Sequence, residues 1–256
     1  MKNQFQDSGL RFKAGMAVIF SLVVLQSAFA FEGRINVALT RGGEISGVLY
    51  TVGTNDLRIE QTDTDRPHAR DIVNLETGDL TLLFPQNRGF VRLKNYAEGG
   101  ADSFPPGVGP QSAPGANTTP TMPPPGMGMP AMPAPPMEKL ELTATGGTTN
   151  ILGFDCTGYE IKSRGEVMEI WATDGLFAFQ PYLENQPRRF GPRRIEEQWG
   201  GLLKAKKIFP LVATLKFENG AERYRFEVKS VAPGKVRDES LFQPPPEYQE
   251  IRPLPF

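Results

Sequence analysis

The sequence predicts a mainly β protein, an antiparallel meander of about ten strands with one helix. Short segments in which apolar and polar residues alternate, such as 57–60, indicate half-buried strands. The pair Asn219-Gly220 lies between two such segments and is the strongest signal of a tight hairpin. Short links rich in Gly, Asp and Asn join the other segments, and this spacing favours a meander over alternating strands and helices.

The expected strands follow one another closely along two stretches of the chain. Each has the period of two that places alternate side chains on one face of a sheet. In chain order they cover residues 35–39, 45–52, 57–60, 71–75, 80–84, 90–94, 140–143, 156–162, 167–173, 211–217 and 222–228.

The hairpin formed by residues 211–217 and 222–228 is the clearest of these elements. We expect Asn219-Gly220 to form a two-residue loop of type I′, because these residues tolerate the positive φ angles that this turn needs. The loop sets the register and places three apolar pairs opposite each other: Leu211 with Val228, Ala213 with Phe226, and Leu215 with Tyr224.

One helix is expected after Gly191-Pro192, with Phe209-Pro210 ending the pattern. The apolar residues at helical spacing are Ile195, Trp199, Leu202 and Leu203. Each glycine of Gly200-Gly201 costs about 1 kcal/mol relative to alanine, so two short turns are the alternative to one continuous helix.

The first thirty residues predict a secretory signal peptide. Lys2, Arg11 and Lys13 precede an apolar stretch that begins at Ala14, and Ala28-Phe29-Ala30 supplies small residues for cleavage. We expect cleavage after Ala30 and a periplasmic or secreted location, with an uncleaved N-terminal anchor as the alternative. The sequence has no lipobox cysteine, and no later apolar stretch is long enough to span a bilayer.

A charge-free segment divides the rest of the chain. Residues 103–137 consist mostly of Pro, Gly, Ala and Met, and such a composition predicts a disordered insertion. We expect residues 31–102 and 138–256 to be two parts of one interrupted β domain, because the first part alone is marginal for independent folding. Two separate domains are the alternative.

Composition excludes several classes of site. With one His and one Cys among 256 residues, a zinc ribbon, an iron–sulfur cluster and an intramolecular disulfide are excluded, and we expect no cofactor and no metal site. Cys156 is expected to be a buried small apolar residue. The alternative for the insertion is a Cu(I) site formed by Met127, Met129 and Met132, whose thioethers suit a soft ion.

A basic segment surrounds the expected helix. Residues 188–207 hold seven basic residues against two acidic ones. The arginines Arg188, Arg189, Arg193 and Arg194 predict a patch for an anionic headgroup or an acidic partner. The alternative is a solvated helix face whose lysines complement the helix dipole, and nucleic acid is not expected as a partner of an exported protein.

Several short motifs occur in an order that resembles a known family. They are residues 31–35, 55–60, 72–75, 83–85, 151–156, 169–173 and 241–245. The chain resembles the exported bacterial family of domains of unknown function numbered 4412, which is similar to periplasmic lipoprotein carriers and sigma-regulator sensors. The resemblance implies a curved antiparallel sheet, an unclosed half-barrel, with short helices and loops covering its hollow. The carriers use that hollow for acyl chains.

These observations predict a non-catalytic exported protein that binds a lipid, a lipidated molecule or another hydrophobic ligand. The residues expected to contact it are Trp171, Leu176, Phe177, Phe179 and Trp199, although such residues also form ordinary cores. A peptide- or protein-binding scaffold or sensor in the envelope is the alternative. No catalytic residues are assigned; a hydrolase would need an acid–base pair, for which Glu169 and Asp174 are the candidates.

Overall fold

A computed structural model describes residues 31–62, 67–94, 139–182 and 195–251. These residues form one 12-stranded sheet, one α-helix and a turn of 3-10 helix. The strands are β1 (Gly33–Arg41), β2 (Glu44–Val52), β3 (Asp56–Gln61), β4 (Arg70–Asn74), β5 (Leu80–Phe84), β6 (Gly89–Leu93), β7 (Thr143–Ile151), β8 (Phe154–Ser163), β9 (Glu166–Thr173), β10 (Phe209–Phe217), β11 (Glu222–Pro233) and β12 (Gln249–Glu250). Helix α1 is Ile195–Lys206, and the 3-10 turn is Glu239–Phe242.

The sheet is open and curled, and it consists of two meanders, β1–β6 and β7–β11, joined where β1 pairs with β11, rather than the single meander that was expected. Its strand order is β12-β6-β5-β4-β3-β2-β1-β11-β10-β9-β8-β7, and every neighbouring pair is antiparallel except β12 with β6. The predicted fold class, a mainly β half-barrel sheet with helical cover, is confirmed. Strands from both flanks of the proposed insertion meet where β1 pairs with β11. The division into residues 31–102, 103–137 and 138–256 stays a prediction, and residues 1–30 and 103–137 lie outside the described ranges.

The predicted strands are confirmed with one exception. Residues 140–143 were expected to form a strand, but the strand in this part of the chain is β7, which begins at Thr143. The sequence of β7 contains Gly146-Gly147 and shows little alternation of apolar and polar residues. Most of its side chains are exposed, and its pairing with β8 shifts between Ala144 and Thr148. Because neither face of this edge strand is buried, its apolar residues do not recur with a period of two, and the pattern could not predict it.

The β10–β11 hairpin has the predicted pairing but a different turn. Ala213 lies opposite Phe226 and Leu215 opposite Tyr224. Gly220 has a positive φ of 81°, whereas Asn219 does not, so the predicted type I′ loop is wrong. The Gly220 amide donates to the Phe217 carbonyl over 2.8 Å, and a register shift beyond Leu215 takes up the extra residue. A bulged turn therefore leads to the same facing pairs.

Helix α1 is continuous across Gly200-Gly201, so the alternative of two short turns is wrong. Its apolar side faces the sheet, with Ile195, Trp199 and Leu203 buried. The helix ends before Phe209-Pro210: Lys207 has a φ of 58°, and the Ile208 amide donates to the Leu203 carbonyl over 3.2 Å. This is a Schellman ending, which satisfies the last carbonyls.

The two faces of the sheet differ in what covers them. The inner face, which carries Ile35, Val37 and Leu39 of β1, holds the main core and is covered by α1. The outer face carries exposed side chains such as Arg34. Near β3–β6 the C-terminal segment lies across this outer face, where Phe242 packs on a small cluster that includes Ile72, Leu83 and Phe90.

Candidate functional site

The inner face carries a cluster of aromatic rings. Phe179 is the centre of this cluster: its ring centroid lies 5.0 Å from Trp199, 5.6 Å from Phe209 and 5.5 Å from Phe226. Tyr50 packs edge-on against Phe209 at 5.6 Å. Rings at these distances and tilts contact each other closely, so the middle of the inner face is filled.

Two elements cover these rings, and together we call them the cover. The first is residues 176–182, which follow β9, and the second is helix α1. They touch at Gly200, where an added Cβ would lie 3.2 Å from Pro181 Cβ and 3.4 Å from Phe179 Cε1. The Lys204 ammonium also donates to the Gln180 side chain over 2.9 Å. The absence of a side chain at position 200 therefore lets the two parts of the cover approach each other.

A cavity of about 60 Å³ remains between the cover and the sheet. Its apolar walls include Leu39, Tyr50, Phe179, Trp199 and Phe226. Ligand pockets for small organic molecules are usually about 300–1,000 Å³, so the cavity holds at most a few atoms with the cover in this position.

Charged side chains form the rim of the cavity. Glu196, in the first turn of α1, is buried and pairs with Arg41 of β1 and, at 3.6 Å, with Arg223 of β11. Arg223 also pairs with Glu166 at the start of β9. The helix is thus held to the sheet by ion pairs at one end as well as by aromatic contacts.

Two tyrosines of the site are held in their neutral form. Burial raises the pKa of Tyr50 well above its ordinary value, and the electrostatic effects of the nearby Tyr224 phenol and Asp71 carboxyl raise it further by smaller amounts. Burial likewise raises the pKa of Tyr224. The Tyr50 hydroxyl donates to the Gln180 carbonyl over 3.2 Å, so it also fixes the cover. Neither phenol is poised to act as an acid or base near neutral pH.

The structure brings four of the five predicted ligand-contacting residues to the inner face. Phe179 and Trp199 touch each other, Phe177 lies 4.9 Å from Phe209, and Leu176 packs partly buried against the same core. Trp171 lies apart from them, because its neighbours Ile170 and Ala172 on β9 point inward and it points to the outer face. Whether these residues contact a ligand stays a prediction.

The other predicted residues are placed as follows. Arg188, Arg189, Arg193 and Arg194, the proposed headgroup patch, lie outside the described ranges, as do the methionines of the alternative copper site. Cys156 is buried, as predicted, and its burial raises the pKa of the thiol.

The carboxylates considered for hydrolysis do not lie in the cavity. Glu169 is exposed and pairs with Lys216 at 2.7 Å, on the same side of β9 as Trp171. Asp174 is exposed in the turn after β9. The geometry therefore gives this pair no shared cleft beside the aromatic cluster.

Several residues of the site were not among the predicted ligand-contacting residues. Tyr50, Tyr224 and Phe226 are inward positions of strands that were predicted correctly, so the period of two already marked them as core candidates. Glu196 was counted only as a charge of the helix. No local signal marks it as buried, because its partners Arg41 and Arg223 come from distant strands.

Comparison with solved structures finds partial likenesses at low sequence identity. A PNGF-II structure has 15% identity and a TM-score of 0.43; the match covers 87% of this chain but 31% of the PNGF-II chain, so this chain spans under a third of that length. An uncharacterised conserved protein from Thermus thermophilus has 10% identity and a TM-score of 0.45, with 88% and 93% of the two chains covered. The MucA/MucB complex from Pseudomonas aeruginosa has 12% identity and a TM-score of 0.39, with 85% and 57% covered.

Two further observations concern membrane spans and family. Within the described ranges, no helix is long and apolar enough to cross a membrane. None of the curated proteins matches the sequence. Residues 131–248 match the model of the domain of unknown function DUF4412, which confirms for this part of the chain the resemblance to the family numbered 4412.

Proposed function

We propose that this is a non-catalytic envelope protein that binds an apolar or lipidated ligand on the inner face of its sheet, beneath the cover. The observation that supports the proposal is the aromatic cavity between α1 and the sheet, which has an apolar wall and a charged rim. An apolar wall suits an acyl chain, and the rim lies where a polar end would meet water.

The size of the cavity sets a condition on binding. At about 60 Å³ it is too small for an acyl chain, so the ligand enters only when the cover moves away from the sheet. Movement separates Trp199 and Phe179 from Phe209 and Phe226. A bound chain then replaces these contacts, at about 0.8 kcal/mol per enclosed CH₂.

The proposal assigns the predicted arginines a role beside the cover. Arg188, Arg189, Arg193 and Arg194 come shortly before α1 in sequence, so they would supply positive charge near an anionic headgroup. The headgroup contribution would weaken as ionic strength rises, whereas burial of the chain would not.

Two adjacent glycines offer a matched test of a moving cover. At Gly200 an added methyl group meets Pro181 and Phe179, whereas at Gly201 it meets nothing within 4 Å. Both substitutions raise helix propensity by about 1 kcal/mol, so they differ only in the contact within the cover. Binding of the fluorescent fatty acid dansyl-undecanoate is measured for the wild-type chain, Gly200→Ala and Gly201→Ala.

We expect saturable binding that is about fivefold tighter in Gly200→Ala. The crowded contact costs the closed arrangement about 1 kcal/mol and is relieved when the two parts of the cover separate on opening, so the open population rises by that factor. Gly201→Ala should bind like the wild type. Equal affinities in all three proteins would place the probe elsewhere, and no saturable binding in any of them would overturn a lipid-binding role.

A protein partner is the second candidate, and the edges of the sheet favour it. One edge ends in β12, which is two residues long, but the other ends in the nine-residue β7, which carries no charged residue. Short or charged edges discourage strand pairing, and β7 has neither feature. An extended peptide would pair with β7 through backbone hydrogen bonds. If the wild-type protein does not bind dansyl-undecanoate, that result would favour a peptide partner over a lipid ligand.

A further inference from the structure

A second candidate site lies on the opposite side of the molecule from the cover. Between the start of β1, the end of β11 and residues 234–241 there is a groove of about 400 Å³. Arg34, Lys235 and Arg237 line it, with Gly33, Ala232 and Leu241 between them, and we call it the basic groove. It lies on the outer face, because Arg34 alternates with the inward Gly33 and Ile35 of β1.

The three cations of the basic groove are exposed and have no carboxylate partner within the described part of the chain. The contrast with Arg58 is direct. Arg34 lies opposite Thr51, and Thr51 lies opposite Arg58 on the next strand, so both arginines belong to one row across the outer face. Arg58 is held by Glu60 at 2.8 Å, whereas the charge of Arg34 is not neutralised in this way.

The acidic residues beside the groove have other partners. Asp238 accepts hydrogen bonds from the Ser240 amide at 3.1 Å and the Ser240 hydroxyl at 2.6 Å, as the N-cap of the 3-10 turn. Glu32 accepts from the Thr54 hydroxyl at 3.0 Å. Three cations against one lining carboxylate leave the groove positively charged.

The backbone adds further donors. Residues 235–237 follow the end of β11 at Pro233, and among the described residues their amides donate no hydrogen bond. The Gly234 amide before them donates to the Glu32 carbonyl over 3.0 Å and fixes the start of this segment. Free amides beside arginine side chains are the donors that bind oxyanions in proteins.

We propose that the basic groove binds an anion that carries a phosphate group. Two guanidinium groups and an ammonium suit a doubly charged oxyanion, since arginine binds phosphate oxygens in pairs and lysine binds them as a point charge. A volume of about 400 Å³ exceeds the need of phosphate alone and leaves room for the organic part of the molecule. This site is independent of the ligand proposed beneath the cover.

The test uses the full chain and two charge-matched double variants. Arg34→Gln with Arg237→Gln removes the two guanidinium groups of the groove. Lys139→Gln with Arg164→Gln removes two exposed cations elsewhere on the chain, so the net charge changes equally. Binding is measured by calorimetry with inorganic phosphate and glycerol 3-phosphate, and by sedimentation with vesicles containing phosphatidylglycerol.

We expect the wild-type chain to bind at least one of these probes saturably, the groove variant to lose at least tenfold in affinity, and the control variant to stay within twofold. Preference for glycerol 3-phosphate would identify a free phosphate ester, and preference for vesicles a lipid headgroup. Equal losses in both variants, or no saturable binding by the wild type, would overturn the proposal. Uptake of dansyl-undecanoate should be unchanged in the groove variant, which separates this site from the one beneath the cover.

Discussion

The indole of Trp171 lies against the backbone of Gly158, the residue opposite it on the neighbouring strand. A Cβ at position 158 would lie 3.1 Å from Cζ3 and 3.2 Å from Cη2 of the ring, and 2.5 Å from Oγ1 of Thr145 on β7. A Cβ added to Gly147 on β7 would likewise lie 3.1 Å from Cη2 of the same ring. The ring therefore covers two glycines of the outer face, a structural task that does not need a ligand.

Gly158→Ala should destabilise the protein by about 1–3 kcal/mol, because the new methyl group would be too close both to the Thr145 hydroxyl and to the indole. The check is urea unfolding of Gly158→Ala, Trp171→Val and the double variant. We expect the double variant to lose less than the sum of the two single losses, since removing the ring removes the close contact with the indole and leaves only the one with Thr145. Strict additivity would show that the two residues do not interact.

Loss of the Arg223 guanidinium should weaken the attachment of the cover. Arg223→Gln leaves Glu166 without the partner described for it and Glu196 with Arg41 alone, and we expect a loss of about 2–3 kcal/mol. Lys216→Gln is the control, because its pair with Glu169 is largely exposed and should contribute less than about 1 kcal/mol. Similar small losses in both variants would contradict a stabilising role for the buried pairs.

Glu227 should contribute to the loss of stability in acid. Its hydrogen bond from Lys229 lowers its pKa below the ordinary value of 4.5, against an opposing effect of burial, and Arg225 lowers it further. A carboxylate with a lowered pKa stabilises the fold above its ordinary pKa, and this contribution disappears as pH falls below 4.5 and through the lowered value.

Urea unfolding of Glu227→Gln should therefore show about 0.5 kcal/mol less stability than the wild type at pH 7, and no difference well below the lowered pKa. Glu218→Gln, an exposed change in the nearby turn, is the control: Glu218 forms no ion pair within the described ranges, so this variant should be as stable as the wild type at pH 7. A constant difference between Glu227→Gln and the wild type at all pH values would argue against ionisation as the cause.

Export is tested at the N-terminus. If Ala28-Phe29-Ala30 directs cleavage, the protein recovered from the periplasmic or extracellular fraction should begin at Phe31. Sequencing of that N-terminus decides the matter. An Ala30→Lys variant, which places a long charged side chain at the cleavage position, should accumulate with residues 1–30 attached, and a wild-type protein found only with Met1 in the membrane fraction would contradict export.

The spacing of apolar residues along the sequence predicted most of the strands and the helix. The period of two located the strands from β1 to β6 and from β8 to β11, because a half-buried strand places every second residue in the core. The spacing of Ile195, Trp199 and Leu203 located α1 in the same way. Strand β7 was not predicted, because an exposed edge strand has no buried face and therefore no alternation of apolar and polar residues.

The turn of the β10–β11 hairpin shows a finer limit. Asn219-Gly220 correctly predicted the position of the turn. Both a type I′ loop and the observed bulged turn, however, are compatible with the pairing of Leu215 with Tyr224. Local sequence favours both, and the difference is a single φ angle at Asn219. The facing pairs were predictable because the apolar face had to stay buried whichever turn formed.

By itself the sequence determined the sequence positions of the strands and the helix, the apolar face of each, and the lack of the cysteines and histidines that a disulfide or a zinc site needs. Only the tertiary structure decided that Trp171 faces away from Phe179 and Trp199, that Glu196 meets Arg41 and Arg223, and that Arg34 shares a groove with Lys235 and Arg237. Periodicity records whether a residue is inside or outside its own element, whereas these contacts join elements far apart in the chain. The pairing of β1 with β11 brings their residues together, and no short segment of sequence specifies that pairing.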